Sequence, residues 1–186
     1  MGNASRLEFA RSRLHLRDDR CEYPVNVAIH PNVRIGEDVE IQSGAVIGHS
    51  GFGYEVDENG IPIEIVHLGR VIIGDHVRIG ANCTVDRGTV DDTIIHEHVK
   101  IDQNCHIAHN VEIGPRTMIA SGTILGGSCK IGEDVWIGPG TIMMNKIKVG
   151  DRAFIGVGSV VIRDVPAGMV VCGNPARVLR ERRDDE

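Results

Sequence analysis

Two histidines three residues apart, His106 and His109, lie in the stretch CHIAHNVEIG at residues 105–114. An imidazole is well suited to take a proton near neutral pH, which makes this pair the first candidate for chemistry in the chain. His106 directly precedes Ile107, which is expected to point into the core, so His106 should face outward on a strand. His109 should lie at a corner of the backbone. Two solvated histidines without a chemical role are the alternative.

The elements that position these histidines repeat every six residues. Neither a helix nor a simple alternating strand gives such a period, but a unit of one short strand and one turn does, with three units closing a coil of about 18 residues. The pattern predicts an all-β fold, a left-handed parallel β-helix built from hexapeptide repeats. The aliphatic positions of the main run are Ile95, Ile101, Ile107, Ile113, Ile119, Leu125, Ile131, Ile137, Met143, Val149, Ile155 and Val161.

The repeat divides the chain into one β-helical domain and two flanks. The domain is expected over residues 25–162, with two loops leaving the coil at about 48–70 and 86–94. Loops that leave a solenoid are common places for function. Residues 1–24 contain no hexads and are read as a short helix, a disordered flank or a cap. Residues 163–186 are expected to cap the open end of the β-helix and to finish in a charged helical stretch.

Composition limits the classes of function. The chain has 186 residues, enough for one domain, and a net charge of −6 with a pI near 5.8, which argues against a nucleic-acid partner. No apolar run is long enough for an integral membrane segment, and no signal peptide is recognised, so a cytoplasmic location is expected. Three of the five cysteines, Cys83, Cys105 and Cys129, fall on small inward positions and are read as core residues.

Stacking of coils gives His109 specific neighbours. With one coil per 18 residues or so, His109 lies below Gly127 and two coils below Asn145. A general base beside a backbone N–H donor is the minimum equipment for acyl transfer, in which a nucleophile loses a proton and an oxyanion forms. Asp102, near the preceding corner, is a candidate to orient the imidazole. This chemistry requires no protein nucleophile if the donor is a thioester, and the sequence contains no motif for such a nucleophile.

Two other classes of function stay open at this point. A metalloenzyme of the carbonic anhydrase type needs three converging histidines, whereas His96 and His98 lie on one strand face with no evident third ligand, so no metal site is predicted. A non-catalytic β-helix scaffold is the other alternative. It predicts that replacing His109 leaves activity and ligand binding unchanged.

Three stretches, SGFGYEVDENG, GRVIIGDHVRIGANCTVDRGTVDDTII and VKIDQNCHIAHNVEIG, resemble the acyltransferase domain of UDP-3-O-acylglucosamine N-acyltransferases of the lipid A pathway. The resemblance covers roughly residues 25–150 and includes both loops. It implies that His109 is the general base, Asp102 its partner and the Gly127 N–H the oxyanion donor. It also implies a homotrimer with active sites in clefts between adjacent β-helices.

The chain departs from that family at both ends. The family has an N-terminal uridine-binding domain, for which residues 1–24 leave no room, so uridine recognition by such a domain is expected to be absent. A family motif N-G-H is replaced by Asn145-Lys146. The ending IGVGSVVIRDVPAGMVVCGNPARVLR is similar instead to acetyl-CoA-dependent hexapeptide acetyltransferases. That similarity implies that the coenzyme A groove is lined by Gly156, Gly158, Ala176 and Arg177.

The sequence therefore predicts an acyltransferase that moves an acyl group from a phosphopantetheine thioester to the amine of a nucleotide-linked amino sugar, in lipid A or surface polysaccharide biosynthesis. Acyl-CoA or acyl-carrier protein is expected as co-substrate, with no tightly bound cofactor. An acetyl-CoA-dependent sugar O-acetyltransferase is the alternative within this class. The residues expected to bind the acceptor or the acyl carrier are Phe52, Tyr54, His106, Asn145 and Lys146.

Overall fold

The computed structural model describes residues 25–183, which form a left-handed parallel β-helix of about eight coils with no helix among them. Sheet A contains β1 (Ala28–Ile29), β4 (Val46–Ser50), β9 (Thr84–Arg87), β12 (His106–Ile107), β15 (Ile124–Leu125), β18 (Ile142–Met143) and β21 (Val160–Val161). Sheet B contains β2 (Val33–Ile35), β7 (Val71–Ile73), β10 (Thr93–Ile95), β13 (Glu112–Ile113), β16 (Lys130–Ile131) and β19 (Lys148–Val149). Sheet C contains β3 (Glu40–Ile41), β8 (Arg78–Ile79), β11 (Lys100–Ile101), β14 (Met118–Ile119), β17 (Trp136–Ile137), β20 (Phe154–Ile155), β22 (Met169–Gly173) and β23 (Ala176–Glu181).

The core is the inside of this triangular coil. Each coil runs from sheet A to B to C, and successive coils pair in parallel, as in the alignment of Ile107 with Leu125. The predicted aliphatic positions from Ile95 to Val161 are all buried. Cys83, Cys105 and Cys129 are buried as well, which confirms them as core residues. Burial raises the pKa of the Cys129 thiol, as expected for a cysteine that serves as a small apolar side chain.

The corners between sheets are formed by residues with positive φ. At the A–B corner Asn110 has a φ of 60° and at the C–A corner Asn104 has a φ of 58°. Asparagine tolerates this left-handed conformation better than most residues because its side chain can bond locally. The B–C corner has the same positive φ with other side chains, including His98 with a φ of 59°. One such residue per corner lets a strand of two residues turn into the next sheet.

Two segments leave the coil between sheets A and B, one before β7 and one before β10, and they bond to each other. The first contains an antiparallel hairpin of β5 (Tyr54–Val56) and β6 (Pro62–Glu64). Its end is tied to the second loop because the N–H groups of Leu68 and Gly69 donate to the carbonyls of Thr89 and Gly88. The two loops therefore form one layer over the side of the coil, at the A–B corner.

The C-terminal segment differs from expectation. The predicted charged helix at the end of residues 163–186 is wrong for the part that the structure describes, because β22 and β23 form an antiparallel hairpin. β22 extends sheet C beside β20, and β23 pairs with β22. This backbone pairing favours a strand over a local helix. The suggested helix or cap in residues 1–24 lies outside the described residues. Within residues 25–183 there is no helix with the length and apolar character needed to cross a bilayer.

Candidate active site

His109 lies at the A–B corner directly beneath Gly127. The coil length aligns the two, and Ser128 donates its N–H to the His109 carbonyl at 2.9 Å. A Cβ built on Gly127 would lie only 2.6 Å from His109 Nε2, so glycine is required for the imidazole to keep its place. Of the residues that the structure describes, Gly126, Ser128 and Lys146 donate backbone hydrogen bonds at this corner, whereas Gly127 donates none. An unengaged N–H therefore lies near the imidazole nitrogen.

Asn110 fixes the orientation of the His109 ring. Its Oδ1 accepts hydrogen bonds from the N–H and the hydroxyl of Thr89, and its Nδ2 donates to the Asp91 carbonyl at 2.8 Å. Because these partners determine which end of the amide is oxygen, His109 Nδ1, 3.0 Å from Oδ1, must be the donor. The lone pair of the neutral imidazole is then on Nε2, next to Gly127. This is the tautomer that a general base at Nε2 requires.

His67 comes from the first loop and packs against His109. The two ring centroids are 5.3 Å apart with the planes nearly perpendicular. His67 is 2% exposed, its Nδ1 bonds to the Ile65 carbonyl at 2.9 Å, and its buried Nε2 has no partner. Gly51 fits between the two rings, since a Cβ there would lie 3.1 Å from both of them. The first loop thereby shields one side of the candidate base from water.

Asp86 and His106 lie on the same sheet just before the corner. His106 faces outward, as predicted, with Nδ1 2.7 Å from the Thr84 hydroxyl and Nε2 3.7 Å from the Asp86 carboxylate. Asp86 is 7% exposed, and burial raises the pKa of its carboxyl. The charges of the surrounding histidines, His106, His49, His109 and His67 in order of effect, lower that pKa in part. All four imidazoles therefore lie within electrostatic range of one buried carboxyl.

Asp102, the predicted partner of His109, lies elsewhere in the same chain. It follows β11 at the C–A corner and is exposed, whereas His109 follows β12 at the A–B corner. Asp102 lines a cleft of about 330 Å³ along sheet C, together with Gln103 and Trp136. Within residues 25–183 the group that bonds to His109 Nδ1 is the amide of Asn110 instead. A pairing of Asp102 with His109 inside one chain is therefore not what the structure contains.

The residues predicted to bind the acceptor surround the A–B corner. Lys146 donates its N–H to the Gly127 carbonyl, which places Asn145 and Lys146 one coil above Gly127, as the stacking argument predicts. Phe52 directly follows Gly51 and is 86% exposed, with its ring 5.0 Å from that of Tyr54. Their roles in binding stay predictions.

The residues predicted to bind the acyl donor share the other corner. Gly156 and Gly158 lie at the C–A corner, in the coil column that also contains Asp102. A Cβ on Gly156 would lie 2.7 Å from Cβ of Cys172, so the β22–β23 hairpin approaches this column closely. Ala176 and Arg177 begin β23, where Arg177 is exposed. Within one chain, the residues predicted to bind the acyl donor and the predicted base therefore lie at opposite ends of the sheet A strands.

Three residues of the cluster were not found from the sequence. Asn110 directly follows His109, and its place at a corner could have been recognised from the sequence. Its contact with His109 Nδ1 could not. His67 and Asp86 lie in the two loops that break the repeat, so the loops were identified without these side chains. Among the described residues no three His, Cys, Asp or Glu side chains are grouped as metal ligands would be.

Comparison with known proteins agrees with the repeat. The family described as bacterial transferase hexapeptide (six repeats) matches residues 92–127 and 128–163. The hexapeptide repeat of succinyl-transferase matches residues 70–90. These ranges begin where the coil resumes after the first loop and end at β21, so they cover the stacked coils from β7 to β21.

Individual relatives are similar over most of the chain. UDP-3-O-acylglucosamine N-acyltransferase of Maricaulis maris is 57% identical over 147 residues, 79% of this chain and 42% of the relative. The protein of the same name from Agrobacterium fabrum is 59% identical over 146 residues, 78% of this chain and 41% of the relative. The chain thus spans about two fifths of the length of these relatives. The crystal structure of UDP-N-acetylglucosamine O-acyltransferase from Moraxella catarrhalis is 28% identical with a TM-score of 0.77, covering 86% of this chain and 60% of that one. The chain belongs to the hexapeptide-repeat transferases and is similar to UDP-3-O-acylglucosamine N-acyltransferases.

Proposed function

We propose that this protein transfers an acyl group from a phosphopantetheine thioester to the amine of a nucleotide-linked amino sugar, in the biosynthesis of lipid A or a surface polysaccharide. The observation that carries the proposal is the close approach of His109 Nε2 to Gly127, whose N–H donates no backbone hydrogen bond. Similarity to N-acyltransferases of acylated UDP-glucosamine supports the same reaction class.

The proposed reaction uses the geometry of the A–B corner directly. The amine nitrogen attacks the thioester carbonyl while His109 Nε2 removes a proton from the amine, and the carbonyl oxygen becomes an oxyanion that accepts a hydrogen bond from the Gly127 N–H. Asn110 keeps the Nδ1 proton in place during this step. When the C–S bond breaks, the thiolate takes the proton from the imidazolium. The products are an amide and a free thiol.

Asp102 and the donor residues enter the proposal through a homotrimer. Since Asp102 and Gly156 lie at the C–A corner, they can face His109 only if the C–A corner of one copy meets the A–B corner of the next. Acyl-CoA or acyl-carrier protein would bind along that cleft as co-substrate, with no tightly bound cofactor. We expect the reaction in the cytoplasm, where both donors occur.

A panel of donors and acceptors tests the reaction. Acetyl-CoA and long-chain acyl-carrier protein are combined with UDP- and dTDP-amino sugars, including UDP-3-O-acylglucosamine, and with acceptors that offer only hydroxyls. Thiol release and product mass are measured for the wild-type protein and His109→Ala. We expect an amide product and a loss of at least about 100-fold in His109→Ala, because general bases contribute that much. An ester product would indicate the O-acyltransferase, and an unchanged His109→Ala variant would indicate the scaffold.

A further inference from the structure

The carboxylate of Asp86 is a buried charge that the proposed reaction has not yet used. It lies on β9 in the coil below His109, and it is 7% exposed although it is ionisable. Burying a carboxylate costs free energy, and burial raises the pKa of Asp86 accordingly. A carboxyl retained in such a place needs an explanation in terms of the charges that it faces.

The charges that face Asp86 are histidines from four different segments. His49 comes from β4, where it aligns with Asp86, and His106 comes from β12, with Nε2 3.7 Å from Oδ2. His67 comes from the first loop and His109 from the A–B corner, and both act electrostatically on the carboxyl. The guanidinium of the adjacent Arg87 is directed to Ser50, to which its NH2 group donates at 2.8 Å.

We propose that Asp86 is a positioning residue for His109, and that its buried carboxylate stabilises the imidazolium which His109 becomes when it takes the amine proton. This inference rests on the proposed function, in which the proton moves to Nε2. An attraction between opposite charges is several times stronger in a protein interior than in water, so a carboxylate need not touch the ring to have this effect.

The other carboxylates near His109 are less suited to this task. Asp92 is held by Arg70 through the side-chain Nε and NH2 groups and the backbone N–H, so its charge is already balanced. Asp102 lies at the C–A corner and is exposed. Asn110, the group that bonds to Nδ1, carries no charge. Asp86 is the acid that combines burial with electrostatic contact to His109.

The test measures the titration of His109 directly. Deuterium exchange at the imidazole C2 position, followed by peptide mass spectrometry over a pH series, gives a midpoint for each histidine without any substrate. In Asp86→Asn we expect the His109 midpoint to fall by about one pH unit, a tenfold change in proton affinity. We also expect kcat/KM on the productive substrate pair to fall about tenfold, with its acidic limb moved to lower pH. Asp86→Glu should restore both values in large part.

Asp38→Asn is the matched control, because Asp38 also lies beside an imidazole, 3.5 Å from His76 Nδ1, but at the B–C corner. It should leave the His109 midpoint and kcat/KM unchanged. Asp86→Ser replaces Asp86→Asn if thermal unfolding shows that the amide impairs folding.

A His109 midpoint that moves by less than about 0.2 pH unit in the neutral variants would overturn the proposal. A shift confined to His106 would overturn it as well, since Asp86 would then serve His106 alone. If the midpoint is unchanged but His109→Ala is inactive, only the role of Asp86 is rejected. If His109→Ala stays active, the base itself is rejected and the role of Asp86 with it.

Discussion

The A–B corner and the B–C corner both place an aspartate among histidines, yet only one of these clusters is covered by protein. At the A–B corner Asp86 is 7% exposed within range of His109. At the B–C corner the rings of His76 and His98 stack with centroids 4.7 Å apart, and Asp38, beside His76, has a side chain that is 80% exposed. The same residue types are therefore held in a protected environment at one corner and in water at the other.

The difference comes from the two loops. Leu68 and Gly69 bond to the second loop, and that loop bonds in turn to Asn110 through Thr89, so both loops cover the A–B corner. At the B–C corner the coil passes directly from one sheet to the next with no insertion. Water screens the charges at the B–C corner, whereas the covered corner keeps them effective. At the A–B corner the charges around a histidine can therefore influence its chemistry.

The largest effect is expected from a matched pair of histidine substitutions. His109→Asn should lower kcat/KM by about 100-fold or more because the base is lost, whereas His98→Asn should change it less than about twofold. Asparagine suits the positive φ of His98, so the control should fold normally. Initial rates on the productive substrate pair and thermal unfolding of both variants are the measurements. Equal losses in the two variants would remove the distinction between the corners.

The next effect concerns the space beside the imidazole. Gly127→Ala places a Cβ 2.6 Å from His109 Nε2 and should lower kcat by about 30-fold, since both the base and the oxyanion donor are displaced. Gly114→Ala is the control, because its Cβ would clash with the Gly132 backbone at 2.5 Å, away from His109. Both variants should lose thermal stability, and only Gly127→Ala should lose kcat per folded molecule. A loss of kcat in both would indicate a general effect of coil distortion.

A smaller effect is expected from the asparagine that fixes the tautomer. Asn110→Ala removes the acceptor at 3.0 Å from His109 Nδ1 and should lower kcat about tenfold, because the imidazole is then free to rotate or to change tautomer. Asn104→Ala is the control, with nearly the same positive φ at another corner. Asn110→Ala should lose more stability than Asn104→Ala, because the Asn110 side chain also bonds to Thr89 and Asp91, so kcat is compared per folded molecule. Asn110→Asp, which keeps an acceptor, should retain more activity than Asn110→Ala, and the opposite order would contradict the tautomer argument.

The sequence predicted the features that depend on the regular repeat, but not the contacts that depend on the two loops. Ile107 and Ile113 are buried as the period requires, and Gly127 lies over His109 because coils without insertions have a constant length. Where the second loop intervenes, the aligned residues are 22 positions apart, as for Thr84 and His106, so counting along the chain could not bring Asp86 to the site.

The features that the sequence did not give involve contacts between distant parts of the chain. His67 reaches His109 from within a long loop whose path depends on its bonds to the second loop. The segment from Ala176 to Glu181 has apolar and charged residues that are compatible with a helix, but pairing with β22 makes it a strand. Asp102 was assigned to His109 from its spacing and from the resemblance; three sheets per coil place the two at different corners of one chain, so this pairing stays a prediction that requires a second copy.

The smallest expected effect is a difference in melting temperature between Asp86→Asn and Asp38→Asn. Burial raises the pKa of Asp86 above its ordinary value of 3.8, so the native protein holds this proton more tightly than the unfolded chain does. The resulting stability is present at low pH and is lost as pH rises through the native pKa. Asp86→Asn avoids this loss, so its melting temperature should exceed that of the wild type by about 2–4 °C near pH 8, with the gap closing toward pH 4.

Asp38→Asn should change the melting temperature by less than about 1 °C at either pH, because its carboxylate is solvated. A lower melting temperature for Asp86→Asn at every pH would show that the ion pair with His106 outweighs the cost of burial. A higher melting temperature together with weaker proton binding at His109 would mean that the protein is more stable without Asp86 but a poorer catalyst. Residues that serve function at the expense of stability show this combination, and residues that serve packing do not.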